Sequence, residues 1–431
     1  MNIVVTAYKF GTEEEIGAHL GTYHYFIEKM RRVAARGHRV VVVAPWLRLT
    51  HRGSKAVDGI ELRRYWPPML PQWWLWPLNR IIRWLYTKQT QRQVLSAVKE
   101  IDADIVYVWQ ARETGYAVAQ IKQFLPCPFI FRQITAWKWH FERLPADVFE
   151  KLGWYKFFKR LRITPLIDPL LAFLLDTTAH KKFAKVIYEQ ADRVVLLSRA
   201  AAREAEEYGL DRSKAEVLGV AIEDDIFKPM QVDKRELGLK PGPAILFIGR
   251  INFAEKGIGV ILEAMPRIIE KIPDAQLVII GGGEIERVHS LIRSLSIERN
   301  VQVLGKKPFQ ELPKFINASD ALVTPSLWME AFGQVTIEAM ACGVPVATSD
   351  AGASPEINID GETGLVVPAG DSRKLAQALV RILVDSPLRK KMGEAARKRV
   401  EEHYTYSVMV PQFLRIVEKT IASVQPPRTN V

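Results

Sequence analysis

Short runs of β-branched and aliphatic residues alternate with helical stretches along most of this chain, and that alternation leaves few architectures open. In the first half, strands are expected at 3–7, 40–44, 60–63, 105–109, 129–132 and 193–197, with helices at 23–36 and 91–100. In the second half, strands are expected at 244–248, 277–280, 301–304, 321–324, 344–348 and 364–367. Helices there are expected at 258–271, 285–295, 310–317, 334–342 and 372–384, followed by two more at 387–404 and 409–424. Strands joined by helices imply parallel sheets, and such sheets bind ligands beyond the carboxyl ends of their strands. The expected fold is therefore α/β with two doubly wound, Rossmann-like halves. Residues 221–242 read as the linker because they hold Phe227-Lys228-Pro229 and Pro241-Gly242-Pro243, and 426–431 read as a frayed tail.

At 431 residues the chain has room for two or three domains with their own cores. The only cysteines, Cys127 and Cys342, lie far apart beside apolar segments, which argues against a disulfide and for a reducing cytoplasm. Met1 runs straight into a strand rather than a signal peptide, and no run of 18 apolar residues occurs. A cytoplasmic location is expected.

Charge is divided unevenly. Residues 1–200 hold 31 Lys and Arg against 17 Asp and Glu, whereas 201–431 hold 29 against 31. Ten of the eleven tryptophans also fall in the first 200 residues. A solvated basic face around ordinary core tryptophans would give this pattern, and so would a surface for an anionic partner. Two segments point to lipid. Trp73, Trp74 and Trp76 precede a helical stretch in which Ile81, Ile82 and Leu85 share a face flanked by Arg80, Arg83 and Lys88. Trp154-Tyr155-Lys156-Phe157-Phe158-Lys159-Arg160-Leu161-Arg162 repeats that chemistry before the apolar run at 170–175. Helices covering a hydrophobic tunnel would read the same way. No zinc spacing or RNP-like aromatic motif accompanies the basic charge, so nucleic acid is not an expected partner.

The most informative stretch is 328–346. Glu330 and Glu338 sit eight apart, after a strand ended by Pro325 and around Phe332-Gly333. Gly333 opens a helix that Cys342-Gly343 closes. Helix N-termini carry backbone N–H groups and partial positive charge, so a diphosphate could rest on Gly333 and Gln334. Carboxylates on either side would accept from sugar hydroxyls. Alone, two such glutamates would be a solvated helix face. Arg250 and Lys256 follow the half's first strand, where two cations could neutralise a diphosphate, or they could instead form surface salt bridges with Glu255 or Glu263. Gly281-Gly282-Gly283 lacks the spacing of a dinucleotide fingerprint, and no P-loop lysine motif is present.

This segment resembles the E-x7-E block of retaining glycosyltransferases of family GT4, which have the GT-B fold. Ile245-Leu246-Phe247-Ile248-Gly249-Arg250 with Lys256-Gly257, the strand and glycine turn 277–283, Asp350-Ala351-Gly352, Pro355-Glu356 and Gly361-Glu362-Thr363-Gly364 are similar to the family in order and spacing. The resemblance is dense from about 240 to 400 and thin over the first 200 residues. It implies two Rossmann-like domains facing a cleft: residues 1–225, joined by a C-terminal helix at about 405–425 that crosses back, and residues 240–400. It assigns Arg250 and Lys256 to the diphosphate, Glu338 to the ribose and Glu330 to the transferred sugar, with Glu330, Arg250 and Lys256 as the catalytic group. Phe332, Gly333, Gln334 and Gly305 complete the expected donor site. On the acceptor side the candidates are Gly21, His24, Arg132 and His140, of which the two histidines also read as structural. The family's glycine pair is here Leu20-Gly21, and its histidine after the strand at 129–131 is replaced by Arg132-Gln133.

The expected activity is retaining transfer of a sugar, hexosyltransferase-like, from a nucleotide-diphosphate sugar to a lipid-linked or glycan acceptor of the cell envelope. Such an enzyme would sit peripherally on the inner face of the membrane. Cations already cover the diphosphate and no DxD-like or His/Cys ligand cluster is seen, so neither a metal nor another cofactor is expected. The alternative is a membrane-recruited, non-catalytic subunit that holds a nucleotide-sugar for a partner enzyme.

Overall fold

The computed structural model describes residues 1–11, 20–46, 55–66, 79–109, 112–137, 160 and 179–424. The chain forms two compact units. The first comprises Met1–Leu197, Ala201–Leu218 and Val410–Val431, and the second Ser198–Ala200 with Gly219–Met409.

The first unit is built on an eight-stranded sheet. Its strands are β1 (Asn2–Ala7), β2 (Arg39–Pro45), β3 (Lys55–Val57), β4 (Ile60–Tyr65), β5 (Ile105–Trp109), β6 (Phe129–Arg132), β7 (Arg193–Leu196) and β8 (Ala215–Val217). They lie in the order β3-β4-β2-β1-β5-β6-β7-β8, parallel throughout except for the β3–β4 pair. Val4, Val42, Val106 and Ile130 are wholly buried, as a parallel sheet covered on both faces requires. Helix Asn79–Ile101 packs on this sheet through Tyr86, Val94 and Val98, and the Tyr86 hydroxyl meets Thr114 Oγ1 at 2.6 Å.

The second sheet is wholly parallel. Its strands are β9 (Ala244–Ile248), β10 (Gln276–Ile280), β11 (Val301–Gly305), β12 (Ala321–Thr324), β13 (Val346–Ser349) and β14 (Gly364–Val367). The order β11-β10-β9-β12-β13-β14 is the doubly wound one, reversing between β9 and β12. Helices Ile258–Lys271 and Ser372–Val384 press Ile261, Met265, Leu375 and Leu379 against Ile245, Ile279 and Val323. The expected α/β class with two Rossmann-like units is what the structure has.

Several limits match the sequence reading closely, among them β5, β6, β9, β12 and β14. The structure adds β3 and β8 and the helices Arg112–Gln120, Ala179–Gln190, Arg199–Glu207 and Ser354–Ile357. The helix expected at 91–100 is the second half of Asn79–Ile101. Residues 221–242 are not a free linker: the Phe227 ring is buried 5.3 Å from Phe309, and Ile222 N donates to Tyr404 O at 2.8 Å, so this stretch belongs to the second unit. Helix Tyr406–Val424 leaves the second unit after Met409 and finishes in the first. There Phe413 stands 4.9 Å from Tyr107, edge to face, and Lys419 pairs with Glu216 at 2.7 Å.

The helical face read as membrane-seeking is corrected. Arg83 is not on a solvated flank: it shares the inward row of Tyr86, Thr90 and Val94, and its guanidinium lies 5.7 Å from the Phe183 ring. The outward row carries Ile81 and Trp84, 57% and 58% exposed, followed by Lys88 and Arg92. Trp73, Trp74 and Trp76, and most of the 154–175 region, lie outside the described residues. Among the described residues no helix is long and apolar enough to cross a membrane.

Candidate functional site

The second sheet reverses its winding between β9 and β12, and the loops leaving these neighbouring strands diverge there, which opens a crevice beyond their carboxyl ends. A cavity of about 180 Å³ lies at that point, lined by Gly249 and Lys256 from the β9 side and by Thr324, Ser326, Glu330 and Gly333 from the β12 side. Ligand pockets usually run to about 300–1,000 Å³. The enclosed part is therefore smaller than a usual small-molecule pocket.

The backbone brings these loops together by close approach. Gly257 begins helix Ile258–Lys271 at φ 64°, and a Cβ there would stand 1.9 Å from Pro325 O, so only glycine fits. Gly333 caps helix Gln334–Ala341 at φ 101°, and Gln334, Val335 and Thr336 of its first turn line the cavity. Thr336 N donates to Gly333 O at 3.0 Å, and the partial positive charge of a helix N-terminus suits this wall to an anion.

Lys256 Nζ donates to Glu330 Oε2 at 2.6 Å, and Ser326 Oγ donates to the same oxygen at 3.2 Å. The Glu330 carbonyl accepts from Ala353 N at 2.8 Å. The two groups read separately as diphosphate and sugar ligands are thus partners of each other. Arg250 Nη2 donates to Glu255 Oε2 at 2.7 Å, the pairing the sequence left open beside a diphosphate role. That guanidinium stays half exposed while the carboxylate is buried.

The remaining donor-side residues are placed as follows. Glu338 is buried one turn beyond Gln334, whose Nε2 donates to its Oε1 at 3.1 Å. Phe332 is turned inward: its ring is edge-on to Tyr404 at 5.7 Å and so near Gly219 that a Cβ there would approach it to 2.6 Å. Gly305 ends β11, two strands from the cavity, and its carbonyl accepts from Gly281 N at 2.9 Å.

In the first unit, Gly21 lies in the first turn of helix Leu20–Ala34. His24 is buried with its ring 5.8 Å from Tyr25. Arg132 is 3% exposed and donates to the carbonyls of Leu196 and Leu218, and burial holds its pKa below the usual arginine value. Both bonds are to backbone carbonyls, at the end of β7 and just after β8. His140 lies outside the described residues. Sequence reading missed Ser326 and Thr324, which a strand-end position beyond β12 could have flagged, and it weighed Glu255 only as a competitor of the ligand. Among the described residues no three His, Cys, Asp or Glu side chains are grouped to hold a metal.

Residues 230–399 match the family described as "Glycosyl transferases group 1". The chain is 36% identical over 182 residues to a phosphatidyl-myo-inositol mannosyltransferase of Mycobacterium leprae, covering 42% of this chain and 48% of that one. It is 33% identical over 193 residues to a GDP-mannose-dependent monoacylated alpha-(1-6)-phosphatidylinositol monomannoside mannosyltransferase of Corynebacterium glutamicum, covering 43% and 50%. The chain thus spans about half the length of these curated relatives. Among solved structures, a sucrose-phosphate synthase from Thermosynechococcus elongatus matches with a TM-score of 0.72 at 20% identity, over 98% of this chain and 99% of that one. Residues 230–399 thus carry the likeness to group 1 glycosyl transferases, within a chain of GT-B fold.

Proposed function

We propose that the chain is a retaining glycosyltransferase that moves a sugar from a nucleotide-diphosphate donor to a lipid-linked acceptor. One observation carries this reading: Lys256 and Glu330 meet at the switch-point cavity beside the first turn of helix Gln334–Ala341. In the reaction the bond from the sugar's anomeric carbon to the diphosphate oxygen breaks, and its electron pair leaves on the diphosphate. Arg250, Lys256 and the helix N-terminus offset that growing charge, and electrostatics of this kind is commonly the largest catalytic term. Retention brings the acceptor hydroxyl to the face the diphosphate leaves, so the departing phosphate oxygen can take the hydroxyl proton. Glu330, released from Lys256 as the diphosphate arrives, accepts from the sugar hydroxyls, and Glu338 from the ribose.

The relatives named above act on phosphatidylinositol lipids or their mannosides, and one is named for GDP-mannose, which makes mannose and an inositol lipid the first pair to test. The place of action under this reading is the cytoplasmic face of the membrane, reached by the outward row Ile81, Trp84, Lys88 and Arg92. The test incubates the protein with GDP-, UDP- and ADP-sugars and phosphatidylinositol vesicles, following nucleoside diphosphate release and labelled lipid. No release with any donor would sink the enzymatic reading. The membrane part stands separately: binding to anionic vesicles should weaken as salt rises and in Trp84→Ser with Lys88→Gln and Arg92→Gln, each cation being worth about 1 kcal/mol at such a surface. Vesicle binding untouched by those changes would move the membrane contact elsewhere.

A further inference from the structure

Glu255 is the residue of this site that no assignment uses. Its side chain is 5% exposed, although it sits in the loop between Arg250 and Lys256. A carboxylate removed from water needs a charge-assisted partner, and Arg250 Nη2 at 2.7 Å supplies one. Arg250 is itself 53% exposed and has five N–H donors in a rigid fork, so one edge of the fork is anchored while the rest is open to an anion.

The anchor is held from the backbone as well. Asn252 Oδ1 accepts from Ala254 N and Glu255 N, each at 2.9 Å, and Lys256 N donates to Asn252 O at 3.0 Å. The Glu255 carbonyl accepts from Leu327 N at 2.8 Å and from Trp328 N at 3.3 Å. One residue thus ties the loop after β9 to the loop after β12, the two loops that frame the cavity, and also grips the cation that one of them presents.

From this geometry we infer that Glu255 is a positioning residue: it fixes the direction in which Arg250 meets the leaving diphosphate. The inference rests on the donor-site reading above. Two physical effects oppose each other when the charge is removed. Without the carboxylate the loop is more positive, which favours an anion in the ground state. Without its anchor the fork is less well aimed, which costs where charge develops in the transition state. Glu255→Gln should therefore lower kcat about tenfold, the scale of replacing a charge-assisted bond by a neutral one, while nucleoside diphosphate binding stays equal or tightens.

The experiment compares wild type, Glu255→Gln, Arg250→Lys and the double variant. Calorimetry measures the Kd of UDP, GDP and ADP, and steady-state assays separate kcat from donor KM. Gln keeps the size of the buried side chain, and Arg250→Lys changes an exposed position, so a folding failure in one still leaves the other. Arg250→Lys keeps the charge but loses the fork, and should reproduce the kcat loss with little change in Kd. The expected double variant turns over no more slowly than Arg250→Lys alone, because Glu255 acts through that guanidinium. Wild-type turnover in Glu255→Gln, parallel loss of Kd and kcat, or a further tenfold loss in the double variant would each overturn the proposal. If wild type binds none of the three nucleotides, the donor-site reading fails first and takes this inference with it.

Discussion

Each unit keeps cations near its central parallel strands, but in opposite states. In the first, Lys29 and Arg132 are sealed: Lys29 donates to the Tyr107 hydroxyl at 3.0 Å with its ammonium 4.5 Å from the Phe413 ring, and Arg132 is spent on backbone carbonyls. In the second, Arg250 and Lys256 remain partly exposed, each paired to a single carboxylate. Lys256 can exchange its partner for a phosphate without opening a core, whereas Arg132 cannot. The same type of sheet therefore yields a scaffold in one case and an anion site in the other, and accessibility separates them.

The largest test of that contrast is Arg250→Ala with Lys256→Ala. Turnover should fall about a thousandfold or more, with a much smaller rise in donor KM, because these charges matter most as the diphosphate departs. Steady-state kinetics with an unchanged kcat would remove both from the chemistry. Arg132→Ala should do the reverse: a loss of about 2–4 kcal/mol in stability, from the vacated volume and the stranded Leu218 carbonyl, with nucleotide affinity kept. Urea unfolding beside calorimetry decides it, and lost affinity in a stably folded variant would make Arg132 part of a ligand site.

Glu338→Gln comes next, weakening nucleotide-sugar binding by about 1.5–3 kcal/mol for a lost charge-assisted bond. Its Gln334 partner would then face an amide, so a compensating turn of Gln334 is the outcome to check by measuring Kd in Gln334→Ala as well. Wild-type Kd in Glu338→Gln would withdraw its ribose role.

The smallest effect is a slope. Burial, with Arg132 nearby, holds the Lys29 pKa well below the ordinary 10.5. The folded protein therefore binds fewer protons than the unfolded chain, and stability due to this residue rises with pH between the lowered value and 10.5. Relative to Lys29→Met, wild type should gain at most about 1.4 kcal/mol per pH unit between pH 7 and 9. Parallel stability curves would mean that Lys29 keeps an ordinary proton affinity.

Much of this molecule was legible because apolar runs such as Ile105–Trp109 and Ala321–Thr324 are buried on both faces and need no context to declare themselves. Strands β3 and β8 were not: Lys55-Ala56-Val57 and Ala215-Glu216-Val217 are too short to show a period. Arg199–Glu207 hides its helix because alanines leave its buried face weakly apolar. Arg83 misled because a long stem can be buried under a charged head, and its Phe183 contact comes from a helix distant in sequence. At the site, Glu330, Lys256 and Gly333 stood out by spacing. Glu255 did not, since burial within a loop leaves no periodic trace. The inward turn of Phe332 depends on Gly219 and Tyr404, which no local pattern links to it.

Helix Tyr406–Val424 also sets an order of events during synthesis. Ribosomes add about 5–20 residues per second, so Tyr107 emerges roughly 15 to 60 s before Phe413, the ring that covers it. During that interval the second unit's sheet is completed while the first unit still lacks a helix. A nascent chain thus leaves the Tyr107 ring without its Phe413 cover until this helix is made, a landing place for a chaperone.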